Sequence, residues 1–214
     1  MKMMMMTMMM LLAQVLGSGP ALIAADAGSS PAPSVDAFLA RVAAGEKGIA
    51  TVRIPFVQEK HLAIMDDALL TDGVIEINRT LGAVRWEFTG KSLMIFGHGK
   101  IRRWDADGKQ ESVPNDPNLK PFQDQMQAFV SGDWAPLEKA FVLTPDPTGA
   151  AILTLTPRSP ELTKYLASIE MRFRDDFTAP KQLTMVAAGG DETIYKFQEP
   201  QLGVALPAAR FEKP

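Results

Sequence analysis

Residues 69–104, LLTDGVIEINRTLGAVRWEFTGKSLMIFGHGKIRRW, decide the fold of this chain. Apolar and polar residues alternate, with Ile75 and Ile77 on one face, and the alternation resumes over residues 84–88. Glycine-containing turns interrupt it about every ten residues, a spacing typical of antiparallel strands joined by tight turns. The stretch therefore predicts an antiparallel meander.

The same alternation extends on both sides of this stretch. Over residues 51–64 the even positions carry apolar residues, except that Gln58 and Lys60 fall on the same face. These two residues predict either a bulge or a polar spot in the interior. Further alternating segments follow over residues 141–197, so the whole chain predicts roughly ten antiparallel strands.

Short helices are predicted beside the strands. Ser34 can cap a helix that ends at Gly45 or Gly48, and residues 122–131 show apolar side chains at helical spacing. A twisted sheet of this size tends to curl, and a curled sheet under helices encloses a cavity that suits an apolar ligand. The predicted fold class is α+β, a curled antiparallel sheet covered by short helices that form a lid.

The first residues of the chain differ in composition from the rest. Lys2 precedes an apolar run rich in Met and Leu, and small residues follow up to Ala27. This order predicts a secretory signal peptide over residues 1–27, a flexible leader over 28–34 and a single domain over 35–214. The run is too short and too interrupted for a good membrane span, although an N-terminal anchor is the alternative.

Composition and charge argue against several classes of function. The formal net charge is −3, whereas a nucleic-acid binder usually shows a basic patch and a high pI. The absence of cysteine excludes disulfides, thiol catalysis and cysteine zinc sites. His61 and His98 have no neighbour at metal-ligand spacing, so we expect neither metal nor cofactor. No nucleophile motif of the G-x-S-x-G type is present, and we expect no enzyme activity.

Three segments in a fixed order carry a family resemblance. They are FVQEK at 56–60, GVIEINRT at 73–80 and AVRWEF at 83–88, followed by SLMIFGHGKIRRWD and later by ILTLTPRSPEL and LPAARFEKP. Together they resemble the periplasmic outer-membrane lipoprotein carrier family, the LolA-like proteins. Thr80 stands where that family usually has proline, which indicates a divergent member.

The resemblance implies a half-open β-barrel closed by a helical lid, with the acyl chains of a cargo held between them. It also implies that Arg79 ties the sheet to the lid. The expected cavity residues are Phe56, Ile75, Ile77, Trp86, Phe88 and Ile95 on the sheet, with Phe122, Met126 and Phe129 on the lid. Each of these side chains could instead fill a closed core, and Arg79 could be a surface arginine at a strand end.

The resemblance implies partners as well. Such a carrier would take an acylated lipoprotein, or a related lipid-like cargo, from an inner-membrane releasing transporter to an outer-membrane receptor. We expect it to be exported to the periplasm and monomeric, and to bind no nucleic acid. Two other functions stay open, an adaptor that senses lipids or lipoproteins and binds a membrane partner, and a periplasmic hydrolase. The hydrolase would need a clustered polar site, which is not visible in the sequence.

Overall fold

The computed structural model describes residues 33–97, 100–112 and 134–213. The helices are α1 (Val35–Gly45), α2 (Ala135–Ala140) and α3 (Pro160–Thr163), with a 3-10 helix over Ala208–Phe211. The strands are β1 (Thr51–His61), β2 (Leu69–Asn78), β3 (Ala83–Phe88), β4 (Ser92–Gly97), β5 (Lys100–Asp105), β6 (Gln110–Glu111), β7 (Phe141–Pro145), β8 (Ile152–Pro157), β9 (Leu166–Phe173), β10 (Pro180–Ala187), β11 (Glu192–Phe197) and β12 (Gln201–Leu202). Every helix within these ranges is too short or too polar to span a bilayer.

All twelve strands belong to one antiparallel sheet. Their order is β6-β5-β4-β3-β2-β1-β11-β10-β9-β8-β7, and β12 pairs with β1 as well. Strands β1 to β6 pair in sequence order and form one half of the sheet. β7 lies at the opposite edge, and β8 to β11 pair in order back to β1. Within the described ranges β6 and β7 remain the free ends, so the sheet is open. The predicted class, a curled α+β half-barrel with short helices, is confirmed.

The central strand β1 pairs with two strands along the same side. Its first part pairs with β12 and its second part with β11. Pro55 stands where one partner gives way to the other, and its carbonyl oxygen accepts a hydrogen bond from the N–H of Gln198 at 2.8 Å. Proline has no N–H to donate, and it is tolerated here because the ladder is interrupted at this point.

The even-numbered residues of β1 point to what we call the inner face, where an aromatic cluster surrounds Phe56. This ring is only 1% exposed. It packs edge-on against Trp86, Phe88, Tyr195 and Phe197, with centroid distances from 5.5 to 6.3 Å. Edge-to-face contact is a favoured arrangement of aromatic rings. Because its partners lie on β3 and β11, Phe56 joins the two halves of the sheet.

Gln58 interrupts the apolar pattern as a polar spot in the interior. The side chain is buried, and its Nε2 donates to the hydroxyl oxygen of Tyr195 at 2.7 Å. Burial raises the pKa of Tyr195 to about 12. The register of β1 runs on without a shift past Gln58 on both sides, which excludes the predicted alternative of a bulge. Pairing of the two side chains compensates for removing them from water.

The opposite, outer face is covered by the last residues of the chain. Residues 201–213 pass over it, and Leu206 and Phe211 belong to a buried cluster with Ile95 and Trp104. We call this stretch the C-terminal strap. It is an integral part of the fold, because its apolar side chains complete a second core on this face.

A buried carboxylate fastens the strap to the sheet. Glu76, 1% exposed, accepts hydrogen bonds from Arg210 at both carboxylate oxygens, each at 2.9 Å. Arg53 lies 3.3 Å and Arg85 lies 4.0 Å from the same carboxylate. A buried charge is strongly destabilising unless it is paired and hydrogen-bonded, and here three guanidinium groups surround it.

The sequence underestimated the number of elements. The two-residue strands β6 and β12 and the 3-10 helix were not predicted, because elements this short show no periodicity. The helix predicted over 122–131 and the signal peptide predicted over 1–27 lie outside the described residues, as does most of the predicted leader. The helix predicted from Ser34 is confirmed and ends at Gly45.

Gly73 is required by the close approach of Phe56 on the neighbouring strand. A Cβ atom at this position would lie 2.2 Å from Cζ of Phe56 and 2.4 Å from the carbonyl oxygen of Glu87. We expect Gly73→Ala to lower the free energy of unfolding by about 1–3 kcal/mol, since the packed ring has no space to move into. The control is Gly189→Ala, where no atom lies within 4 Å. Equal stability of the two variants in urea denaturation would contradict this packing.

Candidate functional site: an apolar cavity beside the first helix

Helix α1 packs on the inner face of the sheet. Ser34 caps it by accepting a hydrogen bond from the N–H of Ala37 at 3.2 Å. Its apolar stripe buries Phe38 and Val42 completely. The ring of Phe38 packs edge-on against Phe173 of β9, with the centroids 5.7 Å apart. The helix is thereby attached to the second half of the sheet.

The turn between β9 and β10 holds the other side of α1. Phe177 in this turn is buried at a φ of 59°, in the left-handed region that bulky residues rarely adopt. Its ring lies 5.4 Å from Phe38, and the guanidinium of Arg41 lies 4.2 Å from its centroid. A Cβ atom on Gly45 would lie 2.6 Å from the backbone of this turn. Only glycine therefore allows α1 to approach so closely.

One ion pair joins the end of α1 to the first half of the sheet. Nη2 of Arg79, in the turn after β2, lies 2.9 Å from Oε1 of Glu46, and the side chains are 19% and 17% exposed. Burial raises the pKa of Glu46 above its ordinary value of 4.5, and the opposing effect of Arg79 is smaller. Nη1 of Arg79 is buried and has no hydrogen-bond partner among the described residues.

The ion pair forms part of the wall of an apolar cavity. The cavity has a volume of about 60 Å³. By the same measure one water needs roughly 10–15 Å³, so there is room for a few groups of that size. Its walls are Glu46, Val52, Ile54, Ile75, Ile77, Arg79, Val84, Trp86, Met171, Thr178, Ala179, Pro180, Leu183 and Phe197. The wall combines residues of both halves of the sheet with the residue that follows α1.

The structure brings part of the predicted residue set to this cavity. Ile75, Ile77, Trp86 and Arg79 line it. Phe56 and Phe88 lie on the same face, in the aromatic cluster next to Trp86, and do not form the wall. The lid residues Phe122, Met126 and Phe129 lie outside the described residues.

Ile95 is the one described residue of the predicted lining that the structure places on the other face of the sheet. In the ladder it stands opposite Arg85, whereas Trp86 stands opposite Met94. Neighbouring residues of a strand point to opposite faces. Ile95 is therefore on the outer face, fully buried beneath the C-terminal strap, and we remove it from the candidate set.

Several wall residues were missed although a signal for some was present. Val52, Ile54 and Val84 continue the period-two pattern that identified Ile75 and Ile77, so alternation could have found them. Glu46 gave no signal, because its partner Arg79 is distant in sequence and only the fold brings the two charges together. Among the described residues, no group of three or more histidines or carboxylates is arranged to hold a metal ion.

Comparison with known proteins assigns the family. Residues 47–213 match the family of the outer membrane lipoprotein carrier protein LolA. The match covers well over half of the chain, so the chain belongs to this family. No curated protein sequence matches it.

Solved structures show a looser similarity. The MucA/MucB complex of Pseudomonas aeruginosa matches at 17% identity and a TM-score of 0.40, over 83% of this chain and 60% of that chain. MucB alone matches at 18% and 0.43, over 85% and 64%. A LolA superfamily protein from Nitrosomonas europaea matches at 8% and 0.44, over 85% and 99%. The chain thus spans less than two thirds of the length of the MucB chains.

The burial of Glu46 at the cavity predicts a pH dependence of stability. Because burial raises the pKa of Glu46, the folded state binds this proton more tightly than the unfolded state does. The resulting stabilisation is complete below pH 4.5 and is lost as the pH rises through the raised pKa. We expect the stability difference between wild type and Glu46→Gln to shift against the wild type as the pH rises. Urea denaturation of both proteins at pH values from below 4.5 upward measures the difference in their free energies of unfolding. A difference that shifts in favour of the wild type as the pH rises would contradict a raised pKa of Glu46.

Proposed function

We propose that the protein is a periplasmic carrier, which binds the acyl chains of a lipoprotein or a related lipid-like cargo and moves it toward the outer membrane. The observation that carries this proposal is an apolar cavity on the inner face of the sheet, beside the end of α1, in a member of the LolA family. Burying each methylene of an acyl chain contributes about 0.8 kcal/mol. A carrier of this kind needs no catalytic residues.

The size of the cavity sets a requirement on uptake. A volume of about 60 Å³ accepts a few methylene-sized groups, so a full acyl chain requires the walls to separate. The tie at the end of α1 is the Arg79–Glu46 pair, whereas the rest of the helix is packed on aromatic rings. Hydrogen bonds to charged groups contribute roughly 1.5–3 kcal/mol, a cost that binding a few methylenes offsets.

The proposed route follows from membership of the family. The signal peptide over residues 1–27 would direct export and be removed, and the domain over 35–214 would act in the periplasm. An inner-membrane transporter would load the carrier, and an outer-membrane receptor would take the cargo from it. We propose a monomer, in which one cavity carries one cargo.

Arg79→Leu tests the role of the tie. We expect the variant to fold but to change the cargo retained during purification by about tenfold or more, as loss of a charged hydrogen bond predicts. The measurement is the molar ratio of lipid to protein by mass spectrometry, with circular dichroism as the check on folding. Arg174→Leu is the matched control, since Arg174 pairs with the exposed Glu199 and does not line the cavity. Unchanged cargo in Arg79→Leu would contradict the role of the tie.

A second candidate function, a partner-binding adaptor, is favoured by the hairpin between β1 and β2. Four large apolar side chains are exposed there, namely Ile64 (89%), Met65 (42%), Leu69 (44%) and Leu70 (64%). Exposed apolar patches often mark interaction sites. Residues 62–77 contain no Lys or Arg and include Asp66 and Asp67. Anionic membrane surfaces attract basic segments, so this acidic tip suits a protein partner better than lipid.

The double substitution of Ile64→Ser and Leu70→Ser tests the adaptor. If the hairpin binds a protein, a photo-crosslinker at Met65 should form one protein adduct in living host cells, and the double substitution should abolish it while cargo content stays unchanged. Val142→Ser is the control, because Val142 is an exposed apolar residue on β7, away from the hairpin. A persistent adduct in the double variant, or an adduct with lipid alone, would argue against this function.

A further inference from the structure

We propose that the cavity selects acyl chains whose head is a neutral carbonyl group, an ester or an amide, over the same chains as free fatty acids. The inference rests on the proposed carrier function and names its cargo more closely. It follows from two features of Arg79: one of its nitrogens has no partner in the part of the chain that the structure describes, and its charge is balanced by Glu46.

This nitrogen is a hydrogen-bond donor on a residue of the wall, which is apolar apart from Arg79, Glu46 and Thr178. Within the described ranges Nη1 of Arg79 is buried and unpaired, whereas Nη2 lies 2.9 Å from the carboxylate of Glu46. The hydroxyl of Thr178, which also belongs to the wall, is occupied by a hydrogen bond to Asp176 at 2.8 Å. A buried donor without a partner is destabilising, so a ligand that supplies an acceptor oxygen gains from pairing with it.

The charge at this place is already neutralised. The guanidinium of Arg79 carries one positive charge, and the carboxylate of Glu46 in the same wall carries one negative charge. A free fatty acid would bring a second carboxylate next to Glu46 and would lose its own hydration without a free positive charge in return. A carbonyl oxygen accepts the hydrogen bond and brings no charge.

The remainder of the wall suits the chain behind such a head group. Ile75 and Trp86 come from the first half of the sheet, and Met171 and Leu183 come from the second half. All four are apolar and at least nine-tenths buried. The site therefore offers one hydrogen-bond donor for a neutral acceptor, next to an apolar slot. This combination matches the acyl carbonyl and the hydrocarbon tail of an esterified or amide-linked chain.

Three ligands with the same chain length separate the contribution of the carbonyl hydrogen bond from that of the ligand's charge. They are 1-lauroylglycerol, its ether analogue 1-O-dodecylglycerol without the carbonyl, and laurate. Affinities come from displacement of an environment-sensitive fluorophore from the full-length protein at neutral pH. We expect the ester to bind about tenfold more tightly than the ether and than laurate, as one hydrogen bond to a charged group predicts.

Two variants change the preference in opposite ways. In Arg79→Leu the ester and the ether should bind equally, because the donor is gone. In Glu46→Gln laurate should gain about tenfold relative to the ester, because the guanidinium charge becomes available. Arg174→Leu should keep the wild-type ratios. The Glu46→Gln prediction does not depend on Arg79→Leu folding correctly.

The outcomes distinguish this inference from the carrier function. If wild type binds all three ligands equally, or laurate most tightly, the inference is overturned while the carrier proposal stands. If none of the three displaces the fluorophore, both proposals fail. A diacylated lipopeptide in the same assay separates the two sources of an acyl carbonyl. Tighter binding than 1-lauroylglycerol assigns the cargo to acylated proteins, and weaker binding assigns it to a free lipid.

Discussion

The ion pair between Arg79 and Glu46 is the contact on which the proposed function depends. It joins the turn after β2 to the end of α1, and both residues form the wall of the cavity. On its other side α1 is held by Phe38 and Phe177, which are buried aromatic rings. The two attachments differ in kind, since the packed rings hold α1 by burial of apolar surface, whereas Glu46 and Arg79 hold it by one ion pair whose charges water can solvate once they separate. The cavity therefore lies between a packed attachment and a polar one.

The buried carboxylates on the two faces of the sheet differ in the number of arginine side chains that pair with them. On the outer face Glu76 lies within 4.0 Å of Arg53, Arg85 and Arg210, and the C-terminal strap closes over an apolar cluster. At the cavity Arg79 is the single ion-pair partner of Glu46 within the part of the chain that the structure describes, and burial outweighs that partner in its effect on the pKa of Glu46. The carboxylate with three arginine partners lies where the fold is closed, and the one with a single arginine partner lies where we propose that the cargo enters. This contrast supports an inner face that opens while the outer face stays shut.

The sequence predicted those features that depend on local periodicity. Alternation placed Ile75, Ile77 and Trp86 on one face, and all three line the cavity. The same reasoning could not place Ile95, because residues 93–96 are all apolar and β4 is buried on both faces. Only the register against β3 decides its side. Alternation also left open whether Gln58 marks a bulge, a question that the unbroken register of β1 with β2 and β11 settles.

The most direct test of the central claim is mass spectrometry of the protein purified from the periplasm of its own host under non-denaturing conditions. The proposed function predicts one acylated species bound in a stoichiometric ratio, and its loss when detergent extracts the cavity. A protein that purifies without any bound acyl chain, and whose unfolding temperature does not rise when acyl esters are added, would contradict a carrier. The cavity beside α1 would then be a packing feature of a closed core.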